Sequence, residues 1–281
     1  MDVTEALRSG AVYTPLDRLV ARVTGDDPIA FLDATTTQDL SDLKPDQSAL
    51  TCMLDEKGRI LAELRTIVLP DGTVLIDAEQ AAREAVTGWL AKVAPLSGCE
   101  VSDETERWRV TALRGPKAEK HIPRDAIATE VDWGLLGYDI ITASPFEVGA
   151  VSMTAAEHDA ARIDAGRPRF GVDFDETTHI AETPLIARAV SSTKGCYPGQ
   201  ESVARVQNLG RVRKRLVGLD FNDADVPAAG TTLTVDGADV GRVTSAAKWG
   251  GRVAGIGFVR SDVDAGATVE AGSSAATVRA L

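Results

Sequence analysis

Lys194-Gly195-Cys196-Tyr197-Pro198-Gly199-Gln200-Glu201, running on through Ser202-Val203-Ala204-Arg205, is the stretch from which the rest of the chain is read. It gathers a thiol, an ammonium, a carboxamide and a carboxylate around two glycines and a proline, a combination no ordinary core segment needs. The glycines permit backbone conformations closed to other residues and close approach of a second segment, and Pro198 presets a turn. Cys196 is therefore expected on a held loop outside regular structure. Lys194 would stabilise its thiolate, as would the first turn of a helix beginning near Gln200, while Glu201 opposes both. The plain alternative is a small buried hydrophobe in a structural turn.

The string Lys-Gly-Cys-Tyr-x-Gly-Gln-Glu followed by Val-Ala-Arg resembles the signature of the YgfZ-type folate-binding proteins, relatives of the glycine-cleavage T-protein (aminomethyltransferase) and of a mitochondrial iron-sulfur assembly factor. Two further stretches carry the likeness. Arg162-Ile163-Asp164-Ala165-Gly166-Arg167-Pro168 is similar to the family segment in which a helix ends in glycine and enters the folate cavity. Phe31 to Leu40 resembles the first family signature, with Asp33-Ala34 where Gln-Gly is usual.

The resemblance implies an α+β fold. A folate-binding, aminomethyltransferase-like body of two interleaved α/β sandwich units would occupy residues 1–211, and an antiparallel β-barrel residues 212–281. It implies tetrahydrofolate or a derivative as cofactor, with Phe170 and Asp173 at the places where an aromatic and a carboxylate meet the pterin. Tyr197, Gln200, Glu201 and Arg205 are implied as further cofactor contacts, and Cys196 with Lys194 as the reactive pair. A carboxylate suits a pterin because its two oxygens can accept the paired N–H donors of the 2-amino and N3 groups; the alternative for Asp173 is a turn or cap beside Asp175. Family tryptophans near the folate align with Arg18 and His158 here, and the T-protein catalytic aspartate aligns near Glu84, itself open to reading as a solvated helix face.

The implied role is support of iron-sulfur cluster assembly or repair, and through it of tRNA-modifying cluster enzymes. The implied partners are folate and either the assembly machinery or cluster-containing client enzymes. Two alternatives stand beside it: a folate-dependent one-carbon transferase, and a protein-binding scaffold without a ligand.

Composition sets outer bounds. A chain of 281 residues, 44% hydrophobic and 26% charged, reads as a soluble globular protein of two or three domains. It has no apolar run of about eighteen residues and no basic-then-apolar leader, so a cytoplasmic location is expected. Cys52, Cys99 and Cys196 form no Cys-x-x-Cys pair, which argues against a disulfide framework and a structural zinc site. One signature cysteine cannot hold a cluster that normally takes four thiolates, so any cluster contact would be transient. A net charge of -12 disfavours DNA and anionic membrane. Arg205, Arg211, Arg213, Lys214 and Arg215 are the exception, read either as a solvated face or as a dock for an acidic tail or an RNA phosphate.

Local patterns supply the elements. A strand is expected over 12–25, and a helix from Asp27-Pro28 to about Ala34 with proline at its first position. Strands over 48–54, 58–69 and 73–76 are joined by turn chemistry at Asp55 to Gly58 and Pro70 to Gly72. A helix over 78–93 with a buried stripe of Ala85, Trp89, Leu90 and Val93 follows. Further strands are expected over 108–113, 127–131 and 138–142, a short helix over 118–122 and another over 154–163. Short strands over 216–221, 231–235, 239–245, 252–259 and 267–281, with Asp236-Gly237 as a hairpin signal, read as a barrel.

Overall fold

The structure, a computed structural model, describes residues 2–210, 212–222 and 225–281. Two five-stranded sheets form the body. The first has the order β3-β4-β5-β2-β6, from β2 (Arg18–Gly25), β3 (Ser48–Leu54), β4 (Ile60–Val68), β5 (Val74–Glu79) and β6 (Cys99–Asp103). The second has the order β10-β1-β7-β9-β8, from β1 (Val12–Leu16), β7 (Arg109–Arg114), β8 (Ile127–Val131), β9 (Gly137–Thr142) and β10 (Val151–Ser152). Pairing is antiparallel except between β1 and β10.

The strand expected over 12–25 is thus two strands, parted at Asp17 and sent into different sheets, and this is what interleaves the halves. An apolar period of two runs through both and hides the switch. Pro15, which lacks an N–H, lies beyond Val12 and Tyr13, the last residues of β1 that β10 pairs. A missing donor is tolerated there.

Helix α1 (Val3–Ser9) precedes β1, and α2 (Pro28–Thr35) follows β2 with Asp27 as its cap, accepting from Ala30 N at 2.9 Å. The helix expected over 78–93 is corrected. β5 runs on to Glu79, a π-helical stretch covers Glu84–Leu90, and α3 is only Ala91–Val93. Hydrogen bonds from i to i+5 widen the turn, so Ala82, Val86 and Leu90 are buried while Trp89 is 38% exposed. α4 (Ala155–Asp164) starts with a capping box between Thr154 and Glu157 and buries Arg162 and Ile163. α5 (Leu185–Arg188) and α6 (Gln200–Leu209) flank the signature loop.

Two-residue periodicity assigns the faces of the first sheet. Leu19, Ala21, Leu64, Ile76 and Ala78 enter the main apolar core. Val20, Ile67 and Leu75 point the other way and pack with Val110 and Ile141 of the second sheet. Arg18, Glu63, Arg65, Asp77 and Glu79 share that inter-sheet face by the same alternation. A charged layer is therefore enclosed between two sheets, next to an apolar one.

The remaining strands, β11 (Lys214–Phe221), β12 (Thr232–Val235), β13 (Ala238–Trp249), β14 (Arg252–Arg260), β15 (Thr268–Ala271) and β16 (Ser274–Arg279), close an antiparallel barrel in the order β11-β14-β13-β12-β15-β16. Asp236 and Gly237 both adopt positive φ, 50° and 78°, as a tight hairpin demands. The single last strand expected over 267–281 is two, divided by a turn at Gly272, φ 64°. Leu216, Ala254, Ile256 and Phe258 of the barrel belong to the body's main core. No helix among the described residues is long and apolar enough to cross a membrane.

Candidate functional site

The signature stretch folds as a clamped loop. Gly199 sits at φ 83°, and a Cβ there would lie 2.5 Å from Asp55 O, so only glycine fits. Gly195 has open space around it and carries no such constraint. Ser202 Oγ donates to Lys57 O at 2.8 Å, which ties the start of α6 to the same hairpin. Tyr197 is buried in the main core, and burial pushes its phenol pKa up. Cys196 is exposed between these anchors.

Lys194 does not serve as the thiol's partner. Its side chain is 2% exposed, and its ammonium donates to Asp33 Oδ1 at 3.0 Å, Thr36 O at 3.0 Å, Gln38 O at 2.8 Å and Asp33 O. Three donors already face four oxygens, so nothing is left for Cys196. Gln200 reaches Gly195 O at 3.4 Å, and Glu201 pairs with Arg205 at 2.8 Å on the exposed face of α6, an interaction of little energetic consequence. These three residues line neither of the two cavities between the sheets.

Phe170 and Asp173 also lie elsewhere than the resemblance implies. Phe170 is 3% exposed and meets Phe174 edge to face at 5.7 Å, as a core aromatic. Asp173 Oδ2 accepts from Arg162 Nη1 at 2.6 Å and Arg169 N at 2.9 Å, and its Oδ1 accepts from Thr244 Oγ1 at 2.8 Å and from Ser245 Oγ. Since Thr244 and Ser245 belong to β13, this carboxylate is a joint between body and barrel, with its acceptor capacity filled. Glu84 is exposed. Of the basic cluster, Arg211 lies outside the described residues. Lys214 sits 4.4 Å over the Phe258 ring and Arg215 donates to Val263 O, so these two face different partners.

The concave surfaces are between the sheets. A cavity of about 190 Å3 is lined by Arg18, Arg114, His158, Arg162 and Arg167 among others, and one of about 920 Å3 by Gln38, Asp39, Arg65, Trp133, Arg167 and Arg188 among others. Glu63 and Arg167 line both. Around them the buried charges are paired: Arg18 Nε with Asp77 at 2.7 Å, Arg65 Nη1 with Asp139 at 2.6 Å, and Arg114 with Asp139. Burial alone would raise the Asp139 pKa, but the guanidiniums of Arg114 and Arg65 outweigh it and hold the carboxyl well below its usual range.

Glu63 and Arg167 have no ion pair or side-chain hydrogen bond among the described residues. Burial pushes the Glu63 carboxyl up, against the opposing pull of Arg167 and Arg18. Burial lowers Arg167 to about 10, with Arg65 and Arg114 adding to the effect and Asp139 resisting it. A carboxylate and a guanidinium without partners, facing the same space, can receive a ligand edge that carries both donors and acceptors.

Arg18 and His158, where the resemblance aligns tryptophans of other proteins, both line the smaller cavity. Burial, reinforced by Arg114, lowers His158 from 6.5 to about 3. Between those pH values the unfolded chain binds a proton that folded His158 excludes, so stability falls as pH falls through the window. The slope is up to about 1.4 kcal/mol per pH unit. Denaturation across pH 3 to 8 should show a shallower dependence in His158→Gln, with the difference vanishing above about pH 7; parallel curves would mean an accessible imidazole.

The larger cavity connects to the signature loop through its rim. Gln38 and Arg188 line it, Gln38 O is held by Lys194, and Thr37 Oγ1 donates to Ala189 O at 2.6 Å. Lys194 thus positions one wall of the cavity while presenting Cys196 two residues on.

Residues 17–156 match the family model of the GCVT N-terminal domain, and residues 213–280 that of the CAF17 C-terminal beta-barrel domain. The tRNA-modifying protein YgfZ of Hamiltonella defensa is 27% identical over 76% of this chain and 71% of its own. A chloroplastic protein of Arabidopsis thaliana named for transferase activity is 24% identical over 92% of this chain and 67% of its own. The crystal structure of the glycine cleavage system aminomethyltransferase T from Bartonella henselae shares the fold, with a TM-score of 0.83 at 20% identity over 99% of this chain and 87% of that one.

Proposed function

From a chain that joins a GCVT N-terminal domain to a CAF17 C-terminal barrel, we propose a tetrahydrofolate-binding accessory protein that supports iron-sulfur cluster assembly or repair, and thereby tRNA-modifying cluster enzymes. The observation that carries the folate reading is the pair Glu63 and Arg167, unpartnered among the described residues and common to both cavities. A pterin edge offers 2-amino and N3 donors to a carboxylate and an O4 acceptor to a guanidinium, and such charge-assisted bonds gain from burial. The larger cavity, about 920 Å3, lies within the usual range for ligands of this size, about 300–1,000 Å3. Trp133, with Arg188 4.8 Å over its ring, adds an aromatic wall. Tetrahydrofolate would supply the one-carbon chemistry of a reduced pterin; the chain's own residues bind and orient it.

The sulfur arm of the proposal rests on exposure. Cys52 and Cys99 are buried, and only Cys196 among the three cysteines presents its thiol to solvent. A single thiolate suits transient contact with a cluster held by an assembly protein or a client. Tetrahydrofolate titration by calorimetry should give saturable binding that weakens at least tenfold in Glu63→Gln with the fold intact; equal affinity in both proteins would remove Glu63 from the site. Cys196→Ala should lower cluster-enzyme activity in cells and leave folate affinity unchanged. Loss of soluble protein in that variant would make the cysteine structural instead.

A second reading, folate-dependent aminomethyl transfer, is favoured by one feature: Glu63 and Arg167 line both cavities, so two substrates could meet there. Ammonia release with a lipoyl carrier protein would establish it. A scaffold without a ligand would show no saturable folate binding.

A further inference from the structure

We propose that the smaller inter-sheet cavity is a site for a small carboxylate monoanion with a short apolar tail, sharing Arg167 with the folate reading but argued from different groups. Three features of the cavity define the ligand.

The first is unsatisfied donors. Arg114 is 1% exposed and Arg162 4%; both line the cavity, and Arg114 Nε and Arg162 Nη2 are buried with no hydrogen-bond partner. Their other nitrogens are engaged, Arg114 with Asp139 and Tyr138 O, Arg162 with Asp159 and Asp173. Arg167 adds a third guanidinium with no acceptor among the described residues. A buried N–H left without an acceptor is costly, the more so on a charged group. Two guanidiniums with buried unpaired N–H groups, beside a third that has no acceptor, call for an oxyanion, and the planar fork of arginine matches a carboxylate in particular.

The second feature is charge. Five arginines and four carboxylates line the cavity, and Asp77, Asp159 and Asp173 pair with Arg18, Arg162 and Arg169 from behind it, so the charges around the cavity are close to balanced. His158 contributes none, being held neutral by burial down to about pH 3. Near balance, a monoanion is accommodated at lower electrostatic cost than a phosphate dianion.

The third is size and apolar lining. A volume of about 190 Å3, against about 920 Å3 for the neighbouring cavity, suits a carboxylate with a short carbon chain. Leu16, Leu135 and Pro168 supply the apolar side. His158 Nε2, also buried without a partner, offers one further polar contact.

The test uses the full-length protein free of folate, with sodium acetate as the probe and sodium phosphate and sodium chloride at matched ionic strength as comparisons. Broadening of the 13C-carboxyl resonance and the melting temperature are read together. One saturable acetate site is expected, with melting temperature rising logarithmically with acetate as binding to the native state alone requires. Arg167→Gln should weaken acetate at least tenfold without lowering the unliganded melting temperature, because its guanidinium holds no partner. Arg114→Lys, which keeps a cation opposite Asp139 but loses the Nε donor, should also weaken it. Non-saturable acetate binding, phosphate binding as tight as acetate, or unchanged affinity in Arg167→Gln would each overturn the proposal. Because no folate is present, these outcomes are separate from those of the tetrahydrofolate titration.

Discussion

Lys194→Met should lower the stability of the folded protein by about 3–5 kcal/mol, the cost of breaking a buried charge pair. The ammonium lies in a cage of the Asp33 carboxylate and three backbone carbonyls. Methionine preserves the length of the stem but removes the donor shared by the three carbonyls, leaving Asp33 Oδ1 with only Leu40 N and its carboxylate without a counter-ion. The same change removes one of the contacts that hold Gln38 at the cavity rim, so tetrahydrofolate affinity should fall together with stability. Denaturant unfolding followed by fluorescence and circular dichroism measures the first effect, and calorimetry the second. A loss below about 1 kcal/mol, the value typical of an exposed pair, would show that the ammonium is solvated and the loop held by other contacts.

Asp173→Ala carries an effect of similar size, about 3–5 kcal/mol, at a different place. Removing this carboxylate leaves the buried Arg162 guanidinium with only Asp159 and Arg167 O, deprives Arg169 N and Ser245 of their acceptor, and leaves Thr244 only Ile256 O. Because two of these partners lie on the barrel, unfolding should lose cooperativity, with the barrel and the body melting at separate temperatures in calorimetry. Asp173→Asn, which keeps two acceptor positions on its carbonyl oxygen, should lose less. A single unaltered transition in Asp173→Ala would mean that the shared apolar core of Leu216, Ile256 and Phe258 couples the two parts without it.

Much of the fold was legible because it rests on local patterns. Asp27-Pro28 specifies the start of α2 and Asp236-Gly237 the β12 to β13 hairpin. The sheet switch at Asp17 was not, since one apolar alternation serves β1 and β2 alike. Nor was the π-helical stretch, whose wider turn moves Trp89 outward in defiance of an ordinary helical period.

The site was less legible than the fold. The signature stretch marked a held loop and an exposed thiol, both present, but Lys194 is consumed in building that loop. Phe170 and Asp173 sit in sequence where a pterin contact would be, while the third dimension commits one to the core and the other to the barrel joint. Glu63 went unremarked within a strand of otherwise apolar character. The signal available was charge at two-residue spacing inside buried strands, Glu63 with Arg65 and Asp77 with Glu79, a pattern that solvent-facing strands also show when one face is wet. Only the pairing of the two sheets distinguishes an enclosed charged layer from an exposed one.

The central claim is that a reduced pterin is held between Glu63 and Arg167, in the space both cavities share. A crystal structure of the protein soaked with tetrahydrofolate tests it most directly. The account predicts density for the pterin within hydrogen-bonding distance of the Glu63 carboxylate and the Arg167 guanidinium. Density seated instead on the exposed face of α6 beside Cys196, or no bound folate at saturating concentration, would contradict it.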